Sequence, residues 1–231
     1  HKKFNTRGIF KLIYVEDCRK TLSRQLLYDY VLCSPPDYNE LTLNPKRDSY
    51  DQFLYTWMPM LNPKGNLVSI CISDRKADSR IYSKHISCIN VMEKCGWSLK
   101  AHKIWIKSLK MDMFRMSYMN LLTFQKKSHK VNMTKDFKPD VFIDESSHNV
   151  QGYSYGMSEL VCVIHIKEYT QEGDIVYDPF MGSGTTALSA LKNNRKYLGS
   201  EILQEYADIA DQRIADQCRI YKTDLTNMFD V

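Results

Sequence analysis

The sequence predicts an α/β domain whose sheet is mostly parallel and covered by helices on both faces. Three observations predict it: seven short strand-like runs, helical apolar patterns between many of them, and no Gly/Ser/Pro-rich linker anywhere in the 231 residues. The strand candidates are Lys11–Val15, Tyr30–Cys33, Leu67–Ile72, Ala101–Ile106, Tyr118–Phe124, Asp174–Tyr177 and Tyr197–Glu201, several of them apolar runs bounded by turn or charged residues. Helical spacing groups Phe53, Leu54, Trp57 and Leu61 on one face. It likewise groups Ile86, Ile89 and Met92, then Ala187, Leu188 and Leu191, then Tyr206, Ile209, Ala210 and Ile214. Ala101–Ile106 and Tyr118–Phe124 have no clear helix between them, so an antiparallel pair is the expectation there. Residues 126–150 are polar and irregular and read as an excursion from the sheet. The whole chain, 1–231, is expected to form a single domain.

Composition narrows the function classes. No apolar run approaches the roughly 20 residues that span a bilayer, and no secretory leader is visible behind His1-Lys2-Lys3. The seven cysteines form no Cys-x-x-Cys pair and sit mostly in apolar runs. Reduced, core-packed thiols and a cytoplasmic location are therefore expected, with no metal site. The net charge is only +5, but residues 98–139 hold ten basic and two acidic residues, leaving the rest of the chain at −3. Concentrated positive charge suits a polyanion, because cations that neutralise phosphates release condensed counterions. Lys107, Lys110, Arg115, Lys126, Lys127 and Lys130 are the candidate contacts to such a polyanion, although a solvated lysine face would look the same.

The most informative stretch is Asp174-Ile-Val-Tyr-Asp-Pro-Phe-Met-Gly-Ser-Gly-Thr-Thr-Ala187. A strand runs into an acidic residue, a Gly-Ser-Gly turn and a helix opening at Thr185 and Thr186. Gly182 and Gly184 admit close backbone approach to a ligand, and the helix N-terminus supplies free N–H donors. A phosphate-binding loop would want a lysine after Gly184, and none is there. The next strand ends at Glu201, about 20 residues beyond the glycines, where a carboxylate can accept from ribose hydroxyls. Turn and carboxylate together point to a nucleoside-containing ligand.

A second loop, Val31-Leu-Cys-Ser-Pro-Pro-Asp-Tyr-Asn39, also follows a strand. Two prolines fix φ and lack N–H donors, so their carbonyls stand as rigid acceptors, with the Ser34 hydroxyl beside them. Such a loop can hold an amino group by both hydrogens and aim its lone pair.

Asp178-Pro-Phe-Met-Gly-Ser-Gly-Thr-Thr-Ala187 resembles the S-adenosylmethionine-binding motif of the DNA amino-methyltransferases, which act on N6 of adenine or N4 of cytosine. Arg195-Lys-Tyr-Leu-Gly-Ser-Glu-Ile202 resembles that family's continuation, and Leu12-Ile-Tyr-Val-Glu-Asp-Cys18 its strand ending in Gly-Asp-Cys, with Glu16 in place of glycine. Ser34, Pro35 and Pro36 match the first three positions of its catalytic motif. The fourth, an aromatic residue that stacks on the flipped base, is Asp37 here, with Tyr38 one step later. The catalytic motif precedes the cofactor motif, as in the circularly permuted β group.

The resemblance implies a Rossmann-like methyltransferase sheet of about seven strands, one of them antiparallel. It implies S-adenosylmethionine held by Asp17, Asp178, Pro179, Phe180, Gly182, Ser183, Gly184, Thr185, Thr186 and Glu201, with Asp17 on the adenine. Catalysis would fall to Ser34, Pro35, Pro36, Asp37 and Tyr38, with Asp37 or water taking the proton after transfer. Double-stranded DNA with a flipped base is the implied partner. Ser34 leans toward N4-cytosine, while a homodimer, a specificity partner and a restriction partner stay open. So do two alternatives: an RNA-base methyltransferase, and a catalytically silent nucleic-acid-binding subunit. A C5-cytosine enzyme would need a nucleophilic Pro-Cys, which is absent. The resemblance is weakest at 126–160, where Gly152-Tyr-Ser-Tyr-Gly-Met157 replaces a Lys-Pro-type segment that helps hold the methionine part.

Overall fold

A computed structural model describes residues 12–44, 48–110, 116–127, 139–145 and 156–227, with side chains as far as 219. In chain order the elements are β1 (Ile13–Val15), α1 (Cys18–Leu22), β2 (Tyr30–Cys33), α2 (Tyr50–Tyr55), β3 (Leu67–Ile72), β4 (Arg75–Ala77), β5 (Arg80–Tyr82) and α3 (Lys84–Lys94). They continue with β6 (Trp97–Ile106), β7 (Tyr118–Lys126), β8 (Val141–Ile143), α4 (Glu159–Tyr169), β9 (Ile175–Asp178), α5 (Thr185–Lys192), β10 (Lys196–Glu201) and α6 (Gln204–Asn227). Eight strands form one sheet in the order β1-β10-β9-β2-β3-β7-β6-β8, and β4 and β5 form a separate hairpin. Within this sheet only β7 runs against its neighbours, β3 and β6, as the short connection from Ile106 to Tyr118 allows.

The central strand shows how the layers form. All four residues of β2 are buried. Because side chains alternate across a strand, Val31 and Cys33 join one apolar cluster with Leu22, Leu54, Val91 and Met92 of α1, α2 and α3. Tyr30 and Leu32 join the other, with Val161, Cys162 and Ile166 of α4. A third cluster seats α6 on α5 and β1 through Ala207, Ala210, Ile214 and Ile13. Cysteines 18, 33, 71, 88 and 162 are buried and reduced, which agrees with core-packed thiols.

Three details differ from the expectation. The helix that carries Phe53 and Leu54 ends at Tyr55 and gives way to a 3-10 turn over Met58–Met60, because Pro59 cannot donate into an α-helical ladder. Trp57 and Leu61 are buried nonetheless. The 126–150 excursion is not wholly outside the sheet: Val141–Ile143 adds a parallel edge strand to β6 and turns Phe142 toward the core. The β4–β5 hairpin, absent from the strand candidates, is too short and too polar to carry a periodic signal.

Strands β2 and β9 are neighbours although far apart in sequence. Asp29, just ahead of β2, stitches the seam: its N–H donates to the Ile175 carbonyl at 2.9 Å and its carboxylate accepts from the Ile175 N–H at 2.8 Å. The strand after β2 in the chain lies on one side of this seam and the strand after β9 on the other. Here the strand order reverses, and the loops beyond the carboxyl ends part to leave a crevice. Among the described residues, no helix is long and apolar enough to cross a membrane.

Candidate active site

Both sequence motifs open onto this crevice. One cleft is lined by Ser34 from the loop after β2, by Asp178, Phe180, Met181, Ser183, Thr185 and Thr186 from the loop after β9, and by Gly156 and Met157 ahead of α4. The two loops thus share a cavity at the carboxyl edge of the sheet.

The Gly-Ser-Gly loop is fixed from three sides. Asp178 accepts from the Phe180 N–H at 2.9 Å and from the Thr186 hydroxyl at 2.6 Å, closing the loop across its own neck. Burial pushes its carboxyl up to about 7, and those two hydrogen bonds restrain the rise. Glu201, at the end of β10, accepts from the Gly182 N–H at 2.7 Å and from the Leu203 N–H at 3.0 Å. Each oxygen keeps a second lone pair, so a ribose hydroxyl can still be received there. The third side was not foreseen. Arg213 of α6 donates to the Ser183 carbonyl and to the Ser183 hydroxyl at 3.0 Å. It belongs to an ordinary amphipathic helical pattern, and nothing in its sequence neighbourhood marks it. Gly184 sits at φ 82° as the N-cap of α5, and a Cβ there would lie 2.9 Å from Ala210 Cβ, so the turn and the α6 contact both require glycine.

The Ser-Pro-Pro loop is anchored by groups that the motif itself does not reveal. Tyr50 of α2 donates to the Pro36 carbonyl at 2.6 Å, which leaves the Pro35 carbonyl as the proline acceptor beside Ser34. Asp37 accepts from Lys84 Nζ at 2.7 Å and from Arg75 Nη1 at 3.1 Å, and Arg75 also reaches Asn39 at 3.0 Å. Burial raises the Asp37 carboxyl, but Lys84, the Tyr38 N–H and Arg75 outweigh it and hold the pKa below the ordinary value. An ion-paired carboxylate of this kind is a poor proton acceptor, which, of the two acceptors expected, Asp37 or water, disfavours Asp37. The expectation for Tyr38 is corrected. It is buried, with its ring 5.2 Å from Tyr50 and 6.3 Å from Tyr82, and it belongs to the core rather than to a stacking surface. Cys33, next to Ser34, is fully buried, and that burial raises its thiol far above the ordinary value, which disfavours the thiolate.

Asp17 stands two positions beyond Val15, the partner of Glu201, at the same sheet edge. Its carboxylate caps α1 through the Arg19 N–H at 2.8 Å and pairs with the Arg19 guanidinium at 2.6 Å, and it is not among the lining residues of the cleft.

The basic segment divides. Lys107 and Lys110 follow β6 at the carboxyl edge, where the Lys107 N–H meets the Ser117 carbonyl. Lys126 and Lys127 are at the opposite edge, with their N–H groups on the carbonyls of Asn66 and Gly96, which precede β3 and β6. An antiparallel hairpin puts its turn at one edge and its free ends at the other, so Lys126 and Lys127 stand at the edge away from the cleft and drop out of the candidate interface. Arg115 and Lys130 lie outside the described residues.

The chain matches a family model described as DNA methylase over residues 28–212. Among curated relatives, the orphan methyltransferase M.BamHII of Bacillus amyloliquefaciens is 57% identical over 58 residues, 25% of this chain and 22% of that relative. The chain therefore matches less than a quarter of that relative's length. Among solved structures, TTHA0409 of Thermus thermophilus complexed with S-adenosyl-L-methionine superposes with a TM-score of 0.70 at 19% identity, covering 89% of this chain and 95% of that one. The PvuII DNA methyltransferase, cytosine-N4-specific, gives 0.72 at 16% identity over 89% and 90%. At these identities the superpositions establish the fold.

Proposed function

The chain belongs to the DNA methylase family, and on that premise we propose that it transfers a methyl group from S-adenosylmethionine to the exocyclic amino nitrogen of cytosine or adenine in DNA. The observation that carries the reading is the single cleft lined by both Ser34 and the Asp178–Thr186 loop. The lining suits that cofactor. It combines the apolar surfaces of Phe180, Met157 and Met181 with the hydroxyls of Ser183, Thr185 and Thr186, and its described members include one carboxylate and no lysine or arginine to repel a sulfonium. Glu201, Asp178 and the Gly182–Thr186 turn are the residues we assign to holding it, with Asp17 at the outer end of the edge.

When bound, S-adenosylmethionine supplies an electrophilic methyl group. The protein's part is positional. Pro35 offers a rigid carbonyl and Ser34 a hydroxyl oxygen, so the two hydrogens of an amino group are held and its lone pair is directed into the cleft. Ser34 is too weak an acid–base group at neutral pH, and Asp37 is too firmly paired, for either to remove a proton before transfer. The amine would therefore be presented as a neutral group, and its proton would leave to water only after transfer had broken the methyl–sulfur bond. No covalent enzyme intermediate is required. We read the described residues as one catalytic domain, with Lys107 and Lys110 placed to meet phosphates at the carboxyl edge.

The test is incubation of the purified chain with labelled S-adenosylmethionine and mixed-sequence DNA, with RNA in parallel, followed by nucleoside analysis. N4-methylcytosine or N6-methyladenine is the expected product, and Ser34→Ala should slow single-turnover transfer at least tenfold without changing cofactor affinity. Cofactor binding without methyl transfer to either nucleic acid would overturn the reading in favour of a silent binding subunit.

A further inference from the structure

Between β3 and α3 the chain throws out the β4–β5 hairpin, at the same carboxyl edge as the cleft. Its register pairs Arg75 with Tyr82, Lys76 with Ile81 and Ala77 with Arg80. Asp78 and Ser79 close it with φ of 52° and 59°, a two-residue turn of the kind that keeps a ribbon tightly twisted. One face is docked on the catalytic loop: Arg75 bonds Asp37 and Asn39, and the Tyr82 ring lies against Tyr38. Strand alternation then sends Lys76 and Ile81 to the other face, away from that loop. Ile81 is 57% exposed and Arg80 at the turn is exposed too.

A single exposed isoleucine is ordinary on its own; the place of this one is what matters. The residue that fixes the hairpin, Asp37, is three positions from Ser34, so a base delivered to Ser34 brings its flanking duplex to the hairpin. A two-stranded ribbon fits the major groove, apolar side chains can wedge at base steps, and an arginine can anchor a phosphate. Arg75 is engaged by Asp37 and Lys76 is only partly exposed, while Arg80, beside the turn on the same face as Arg75, is exposed and is the cation offered at the tip. We propose that the β4–β5 hairpin is a DNA-contacting ribbon beside the catalytic loop, with Ile81 packing against the bases next to the target nucleotide and Arg80 on the backbone. The inference rests on the methyltransferase reading and extends it, because none of these residues belongs to the cofactor or catalytic motifs.

The experiment compares Ile81→Ala and Arg80→Ala with the unaltered chain in thermal melting, S-adenosylmethionine affinity, DNA affinity against salt, and single-turnover methylation of mixed-sequence DNA. Both side chains are exposed, so melting and cofactor affinity should not move. Arg80→Ala should weaken DNA binding at low salt severalfold and reduce the log–log salt slope by about one. Ile81→Ala should leave the slope unchanged and slow transfer about tenfold or more. If both variants bind and methylate DNA like the unaltered chain, the hairpin's role is overturned and the methyltransferase reading stands. If the unaltered chain neither binds nor methylates DNA, both fall.

Discussion

Replacing Asp37 with asparagine preserves shape while removing the only charge that Lys84 meets within hydrogen-bonding distance in the described set. The Lys84 side chain is 3% exposed, against 31% for Asp37. Truncating a buried pair from the side that strands the buried charge costs about 3–5 kcal/mol. The Tyr50 ring 5.2 Å from Nζ and the negative charge of Asp74 soften this, so the lower end, about 3 kcal/mol, is expected for Asp37→Asn. The converse change, Lys84→Met, leaves a half-buried carboxylate still paired with Arg75 and should cost about 1 kcal/mol. The double variant carries neither charge and should be more stable than Asp37→Asn alone, giving a coupling of about 2 kcal/mol. Urea unfolding at neutral pH measures all four corners of the cycle. Single-turnover methylation should follow the same order, because the pair holds the loop that presents Ser34. Equal and additive losses in the two single variants would refute the asymmetry argued from burial.

Three further outcomes follow from the site. Burial raises the Asp178 carboxyl from an ordinary 3.8 to about 7, so the folded chain keeps a proton that the unfolded chain releases. That contribution to stability is full below about pH 4 and is lost as pH rises through 7, on the order of a few kcal/mol. Asp178→Asn should flatten the urea midpoint between pH 4 and 8, and an unchanged profile would remove this group as its source. Gly184→Ala forces a Cβ against Ala210 at a left-handed φ and should cost about 1–3 kcal/mol, with weakened cofactor binding by calorimetry. Lys126→Ala with Lys127→Ala should leave DNA affinity unchanged in a filter-binding titration, since both lie at the edge away from the cleft.

The strands carrying strong apolar runs were legible to within a few residues: Tyr30–Cys33 and Leu67–Ile72 stand as the pattern predicts. The backbone of the site was legible too, because Gly182, Gly184, Pro35 and Pro36 act through φ and missing donors, which are local properties. What escaped was set by partners distant in sequence. Asp37 reads as a lost aromatic until Lys84 and Arg75 are seen around it. Tyr38 reads as its substitute until Tyr50 and Tyr82 bury it. Arg213 has no signature at all, since its role depends on where α6 crosses the Gly-Ser-Gly turn. The ten cations looked like one patch along the chain, and the antiparallel turn of β6 into β7 separated Lys107 and Lys110 from Lys126 and Lys127 by the height of the sheet.

The Asp29–Ile175 stitch joins positions 146 residues apart, and the shared cleft exists only where it holds. A growing chain therefore carries one wall of the cleft long before the other. Until β9 emerges and closes a very long loop, at an entropic cost that rises only slowly with its length, the Ser-Pro-Pro acceptors lack the Asp178–Thr186 loop opposite them. The cleft is completed in one step when that seam closes, and on the proposed function a chain stopped before β9 would be inert.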